Sequence, residues 1–206
     1  MYDNKCANNI KHSDKQIGVT LIELVVFIVI VSVALVGVLK VLDITNRGSI
    51  DPLVRKQALS IAESLLLEIE QQPFTFCDPD DANVSTATSA ATCTNSQDKG
   101  GAALTSPSPN SESRYSNTDP FDNVADYGGF TMPGGGCAGI CSPGDTTPLS
   151  GLTGYAVTVT ITRAGATAPF ASLALDAVLK ISVRVTGPAN TDVTLTGYRV
   201  RYAPNI

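Results

Sequence analysis

The chain has 206 residues, of which 43% are hydrophobic and only 16% charged, with 17 Gly and 12 Pro, a balance that excludes a disordered polyelectrolyte and a long coiled coil. Fourteen Lys and Arg against 19 Asp and Glu leave a net charge of -5, which also excludes a nucleic-acid binder that works by neutralising phosphates. The one His is His12, so a chain that loses its first residues has no imidazole for a Ser/His/Asp set, a Cys/His pair or a His-bearing metal site.

Residues 1–18 are polar, carry Lys5, Lys11, Lys15 and His12, and show no apolar periodicity, which reads as a leader. From Val19 to Leu39 run 21 residues whose only charge is Glu23. As a helix rising about 1.5 Å per residue they reach roughly 30 Å, the thickness of one bilayer core. That exceeds the apolar region of a cleaved secretory signal, although Ser32-Val33-Ala34 imitates a cleavage site. A carboxylate at mid-bilayer costs about 2.5–3.5 kcal/mol and less near an interface, so Glu23 is either an interfacial acid or a group with a partner. Lys40, Arg47, Arg55 and Lys56 follow the span, so flanking charge does not decide its orientation. Cys77, Cys93, Cys137 and Cys141 all lie beyond it, in a region poor in large apolar side chains, and point to an oxidising compartment on the carboxyl side.

Gly18-Val19-Thr20-Leu21-Ile22-Glu23-Leu24, with a short basic leader before it and an unbroken apolar run after it, closely resembles the processing signal of type IV prepilins and type II secretion pseudopilins. The resemblance implies that a membrane-embedded prepilin peptidase cuts between Gly18 and Val19 and methylates Val19, where the family more often has Phe. It also implies that Glu23 attracts the free amine of a neighbouring subunit. Elementary electrostatics agrees with such a role, because a cation and an anion packed together at low dielectric attract strongly while each alone is costly. A subunit slipped by one turn would leave two unpaired charges in hydrocarbon, so the pair sets register. The implied partners are the prepilin peptidase, other pilin subunits with the pilus assembly machinery, and the inner membrane. The implied location is a single-pass anchor with a periplasmic domain, displayed on a cell-surface pilus after assembly.

After Asp43 the helical pattern weakens at Asn46, Arg47 and Gly48, and Asp51 followed by Pro52 reads as an N-cap with proline at the first helical position. This favours a break between the anchor and a second helical segment. Ala58, Ile61, Ala62, Leu65 and Ile69 make one apolar face on that segment, which ends before Pro73 and is suited to covering a sheet. Asp51-Pro52-Leu53, Gln57-Ala58-Leu59, Ala62-Glu63-Ser64-Leu65-Leu66, Pro73-Phe74, Cys77-Asp78-Pro79-Asp80-Asp81, Phe121-Asp122-Asn123-Val124, Asp126-Tyr127 and Gly154-Tyr155 resemble minor pilin-like proteins of the mannose-sensitive haemagglutinin (MSHA) pilus system.

From Ala82 to Thr118 only Val84, Leu104 and Tyr115 are large and apolar, so this stretch reads as a long exposed loop. With Cys6 in the leader, the other four Cys allow three connectivities. Pairing Cys77 with Cys93 and Cys137 with Cys141 closes two short loops that otherwise lack a core. A four-thiolate zinc site is the rival, and the 16-residue gap between Cys77 and Cys93 is unlike the knuckles of zinc ribbons. Asp78, Asp80 and Asp81, and again Asp119, Asp122 and Asp126, form acidic groups of the kind calcium prefers. No EF-hand spacing is present, and turn formation beside Pro79 and Pro120 explains them without a metal. Gly134-Gly135-Gly136 reads as a turn, since no strand-to-helix context makes it a phosphate cradle.

The carboxyl-terminal part alternates with period two. Tyr155, Val157, Val159 and Ile161 oppose Ala156, Thr158, Thr160 and Thr162, and Leu179, Ile181, Val183 and Val185 oppose Lys180, Ser182, Arg184 and Thr186. A third run changes phase between Leu195 and Tyr198, where Gly197 suggests a bulge. The expectation is an α+β chain: a leader over 1–18, a hydrophobic anchor helix over 19–44, and a pilin-like domain over 45–206 with a loop-rich region at 74–153. The sheet is expected over 154–203, as an antiparallel meander packed on the second helical segment. No acid, base and nucleophile cluster is evident, so a structural subunit without a cofactor is expected rather than an enzyme. A minor pseudopilin of a type II secretion system, or a signal-anchored extracytoplasmic enzyme or adhesin, are the alternatives.

Overall fold

A computed structural model describes residues 18–97, 103, 104 and 111–202, with side chains described throughout except at 44–51, 103 and 104. The predicted leader, apart from Gly18, lies outside the described residues. The chain divides into two units at the Gly48–Ser49 bond.

A single helix, α1, runs Leu21–Gln71 and has Pro52 inside it. Its first part, Leu21–Asp43, is 23 residues long, apolar enough to cross a membrane, and without a single side chain buried within the chain. The helix range runs through Gly48–Pro52, where the sequence favours a break. The end before Pro73 is as expected.

In the second unit α1 presents Val54, Ala58, Ile61, Ala62, Leu65 and Ile69 to the core, which adds Val54 to the predicted stripe. The opposing layer is an antiparallel sheet. Strands β3 (Ala156–Arg163), β4 (Val178–Gly187) and β5 (Thr191–Val200) follow one another as a meander. Two short strands, β1 (Ala103–Leu104) and β2 (Thr131–Met132), pair with β3 at different points along its outer edge. Tyr155, Val157, Val159, Ile161, Leu179, Ile181, Val183 and Val185 all face the helix and are buried, matching the period-two reading.

No bulge occurs at Gly197. The β4–β5 ladder is continuous from Val178 opposite Val200 to Gly187 opposite Thr191, with Gly197 directly across from Ile181. Gly197 is an inward position occupied from the other side: a Cβ there would overlap the Glu70 carboxylate and touch Leu66 of α1. Tyr198 and Tyr202 are consequently on the exposed face, where the Tyr198 ring lies 5.1 Å from that of Phe170. The helix approaches the sheet so closely here that the position has no room for a side chain.

Candidate functional site

The start of α1 is a capped terminus. Thr20 precedes the first helical residue, its carbonyl accepts from the Leu24 N–H at 3.2 Å, and its Oγ1 accepts from the Glu23 N–H at 3.4 Å. Thr20 and Glu23 therefore stand at the N-cap and third helical positions, the sequence relation of a capping box. A carboxylate in this first turn also faces the positive end of the helix dipole. This local use of Glu23 is readable from Thr-x-x-Glu before an apolar run. Val19 and Gly18, flanking the predicted cut, are exposed, and among the described residues none beyond its chain neighbours lies within 4 Å of where a Gly18 Cβ would stand.

The cysteines lie in two local pairs, Cys77 with Cys93 at an S–S distance of 1.95 Å and Cys137 with Cys141 at 1.99 Å. Cys77 also forms an isolated antiparallel bridge with Ser96, which fixes the backbone just before Asp78. Gly134 and Cys137 exchange two backbone hydrogen bonds of 3.0 Å across a turn whose central residues, Gly135 and Gly136, have φ of 58° and 96°. The three-glycine run is thus the predicted turn, at a place where a side chain would be strained.

The middle region departs from an exposed loop. Ala87, Gln97, Glu112, Arg114 and Tyr115 are buried. Arg114 is held inside by its partners: its guanidinium meets both Glu68 oxygens of α1 at 2.7 and 2.8 Å and donates to the Cys141 carbonyl at 2.8 Å. Tyr127 donates its hydroxyl to the same Glu68 at 2.9 Å. Burial, together with the negative charge of Glu68, pushes the Tyr127 hydroxyl pKa up. One ion pair therefore fastens the loop to the helix, which composition alone cannot reveal.

The acidic residues sort into two kinds. Asp81 works as a turn former, its carboxylate accepting from the N–H groups of Asn95 at 2.5 Å and Asn83 at 2.7 Å, bonds that hold its pKa below the usual carboxylate range. Asp78, Asp122 and Asp126 instead converge with Glu112, one carboxylate oxygen of each lying within 4.8 Å of the others. Asp78 is placed by the strand-like bridge beside Cys77 and accepts from the side-chain amide of Asn123 at 2.9 Å. Asp122 and Asp126 are placed by a reciprocal cap: the Asn123 side chain accepts from the Ala125 and Asp126 N–H groups while the Asp126 carboxylate accepts from the Asn123 and Asp122 N–H groups. That cap opens a short 3-10 helix at Val124–Tyr127, itself held to the segment just after α1 by the Val124 N–H on the Pro73 carbonyl. Glu112 is brought in by the turn in which the Ser113 N–H donates to the Asp119 carbonyl at 3.1 Å.

Burial and the neighbouring charges of Asp126, Asp78 and Asp122 push the Glu112 pKa up to about 10. Burial, with Asp78 and Asp126 as the nearest like charges, raises Asp122 to about 7. Of the acidic residues singled out in the sequence, Asp80, Asp81 and Asp119 stand outside this set, and Glu112 was not among them. Nothing near Glu112 in the sequence signals the role, because its partners are set by the path of a loop. The Asn-x-x-Asp cap at Asn123 was legible and would have placed Asp122 and Asp126 side by side.

No family model, curated protein or solved structure matches this chain.

Proposed function

We propose that this chain is a minor pilin-like structural subunit of an MSHA-type type IV pilus, of the kind of MshD, and that it performs no catalysis. In this reading prepilin peptidase removes residues 1–18, Val19 becomes the amino terminus, and the anchor holds the subunit in the inner membrane with the second unit in the periplasm. Assembly then packs the apolar helix beside those of other pilin subunits. The observation that carries the reading is the position of Glu23 in the first turn of an apolar helix whose described side chains are all exposed. A surface of that length and composition needs lipid or other apolar helices around it, and an acid at its tip needs a cation. An α-amino group at Val19 of a neighbouring subunit supplies that cation at the matching height.

Mass spectrometry of the mature protein, with and without the peptidase, tests the processing step. The expected mature chain starts at Val19, methylated or not, and the uncleaved chain accumulates when the peptidase is missing. A native chain that still began at Met1, or that began well past Ile22, would refute the reading. Glu23→Ala should be cleaved normally and enter filaments poorly. Losing the dipole interaction costs only about 0.3–1 kcal/mol of helix stability, so a strong assembly defect would reflect the lost pairing. Normal assembly of this variant would remove the charge-pairing account.

A further inference from the structure

We propose that Asp78, Glu112, Asp122 and Asp126 form a calcium site, in which one ion ties together the segment after α1, the middle loop and the 3-10 helix at Val124–Tyr127. The site is independent of the pilus reading.

Glu112 supplies the decisive observation. It is only 5% exposed, and neither of its carboxylate oxygens has a hydrogen-bond donor among the described residues. Asp122 Oδ1 is likewise buried without a donor. Two carboxylates bond to each other only by sharing a proton, so two charged ones gain nothing from facing each other. An ionised carboxylate taken out of water without compensation is far too costly to persist in a native interior. The charges that act on Glu112 are those of Asp126, Asp78 and Asp122, which make the cost larger.

Two agents relieve this arrangement, a proton or a cation. A proton on Glu112 supplies one donor and leaves the other three carboxylates crowded together. A divalent cation bonds all four at once and cancels more of their charge. The donor atoms are all oxygen, which suits a hard cation and disfavours zinc or copper. Magnesium keeps most of its waters and is usually bound by one or two carboxylates, whereas calcium takes six to eight oxygens at about 2.3–2.6 Å. Ligands on opposite sides of a calcium ion are then about 5 Å apart, the span of this cluster. Asp78 accepts from the Asp80 N–H on one oxygen and from the Asn123 amide on the other, and Asp126 takes both of its backbone N–H donors on Oδ2, so these bonds orient the two carboxylates toward the cluster.

The test uses the full-length chain in detergent, stripped with a chelator and titrated with CaCl2 by calorimetry and by thermal unfolding. The expected result is one saturable calcium per chain and an unfolding midpoint that keeps rising with the logarithm of calcium concentration above the Kd. Glu112→Gln reproduces the protonated side chain and should weaken calcium binding at least about tenfold, since affinity follows ligand charge. Its midpoint without calcium should be no lower than that of the parent, which shows that the fold is intact. Glu63→Gln, on the exposed face of α1, should bind calcium like the parent. No saturable binding up to about 10 mM calcium, the weak end of extracellular sites, would overturn the proposal. Unchanged affinity in Glu112→Gln, or magnesium bound as tightly as calcium, would overturn it equally.

Discussion

Arg114 carries a charge into the interior at a point where the sequence offers no apolar pattern to announce burial. Its side chain is 5% exposed and that of Glu68 is 18% exposed, so their pairing is largely shielded from water. Removing one partner of a buried pair strands the other charge, which costs about 3–5 kcal/mol, well beyond what an exposed pair contributes. Arg114→Ala and Glu68→Ala should each lower the unfolding free energy by that amount in denaturant titrations. The double variant should lose less than the sum, because its second substitution removes a stranded charge. Arg114→Lys should rescue little, since an ammonium cannot meet both Glu68 oxygens and the Cys141 carbonyl in one plane. Full additivity in the double variant would show that the two side chains act independently.

At the scale of elements, legibility follows the range of the interaction. The stripe from Ala58 to Ile69 and the alternation in β3 and β4 were readable because one face of each element repeats with its own backbone period. A helix long and apolar enough to cross a membrane was readable from length and composition. What escaped depends on contacts between distant stretches: the Glu68–Arg114 pair spans 46 residues, and Glu112 meets acids on either side of it in sequence. Gly197 misled for the same reason, its small size answering to Glu70 and Leu66 of α1 rather than to its own strand. The two disulfides bracket the region where local pattern is weakest, and chain entropy ranks them. Closing the 16-residue separation of Cys77 and Cys93 stabilises by about 3 kcal/mol, against about 2 kcal/mol for the four-residue separation of Cys137 and Cys141. Paired Cys→Ser variants should show that order in chemical denaturation. Equal losses would mean that what each bridge packs against in the folded chain outweighs loop length.

For the whole molecule the Gly48–Ser49 boundary separates two kinds of solubility. Before it, the described residues offer an apolar helix with no side chain buried in the chain; after it, the buried core joins the stripe Val54–Ile69 to β3 and β4. All the core residues, both cysteine pairs and the Glu68–Arg114 pair belong to the second unit. A fragment comprising residues 49–206 should therefore be a soluble monomer that keeps its cooperative unfolding, while the full chain requires detergent. The cut leaves a new helix end at Ser49, but Val54 and Ala58 are anchored in the core, so fraying should stop within the first turn or two. On a domain of this size a loss of about 1 kcal/mol lowers the midpoint by about 2–4 °C, which bounds the effect expected in a thermal scan of the fragment against the full chain. A fragment that aggregated or unfolded without cooperativity would show that the apolar helix supports the second unit, a role that its uncovered surface does not predict.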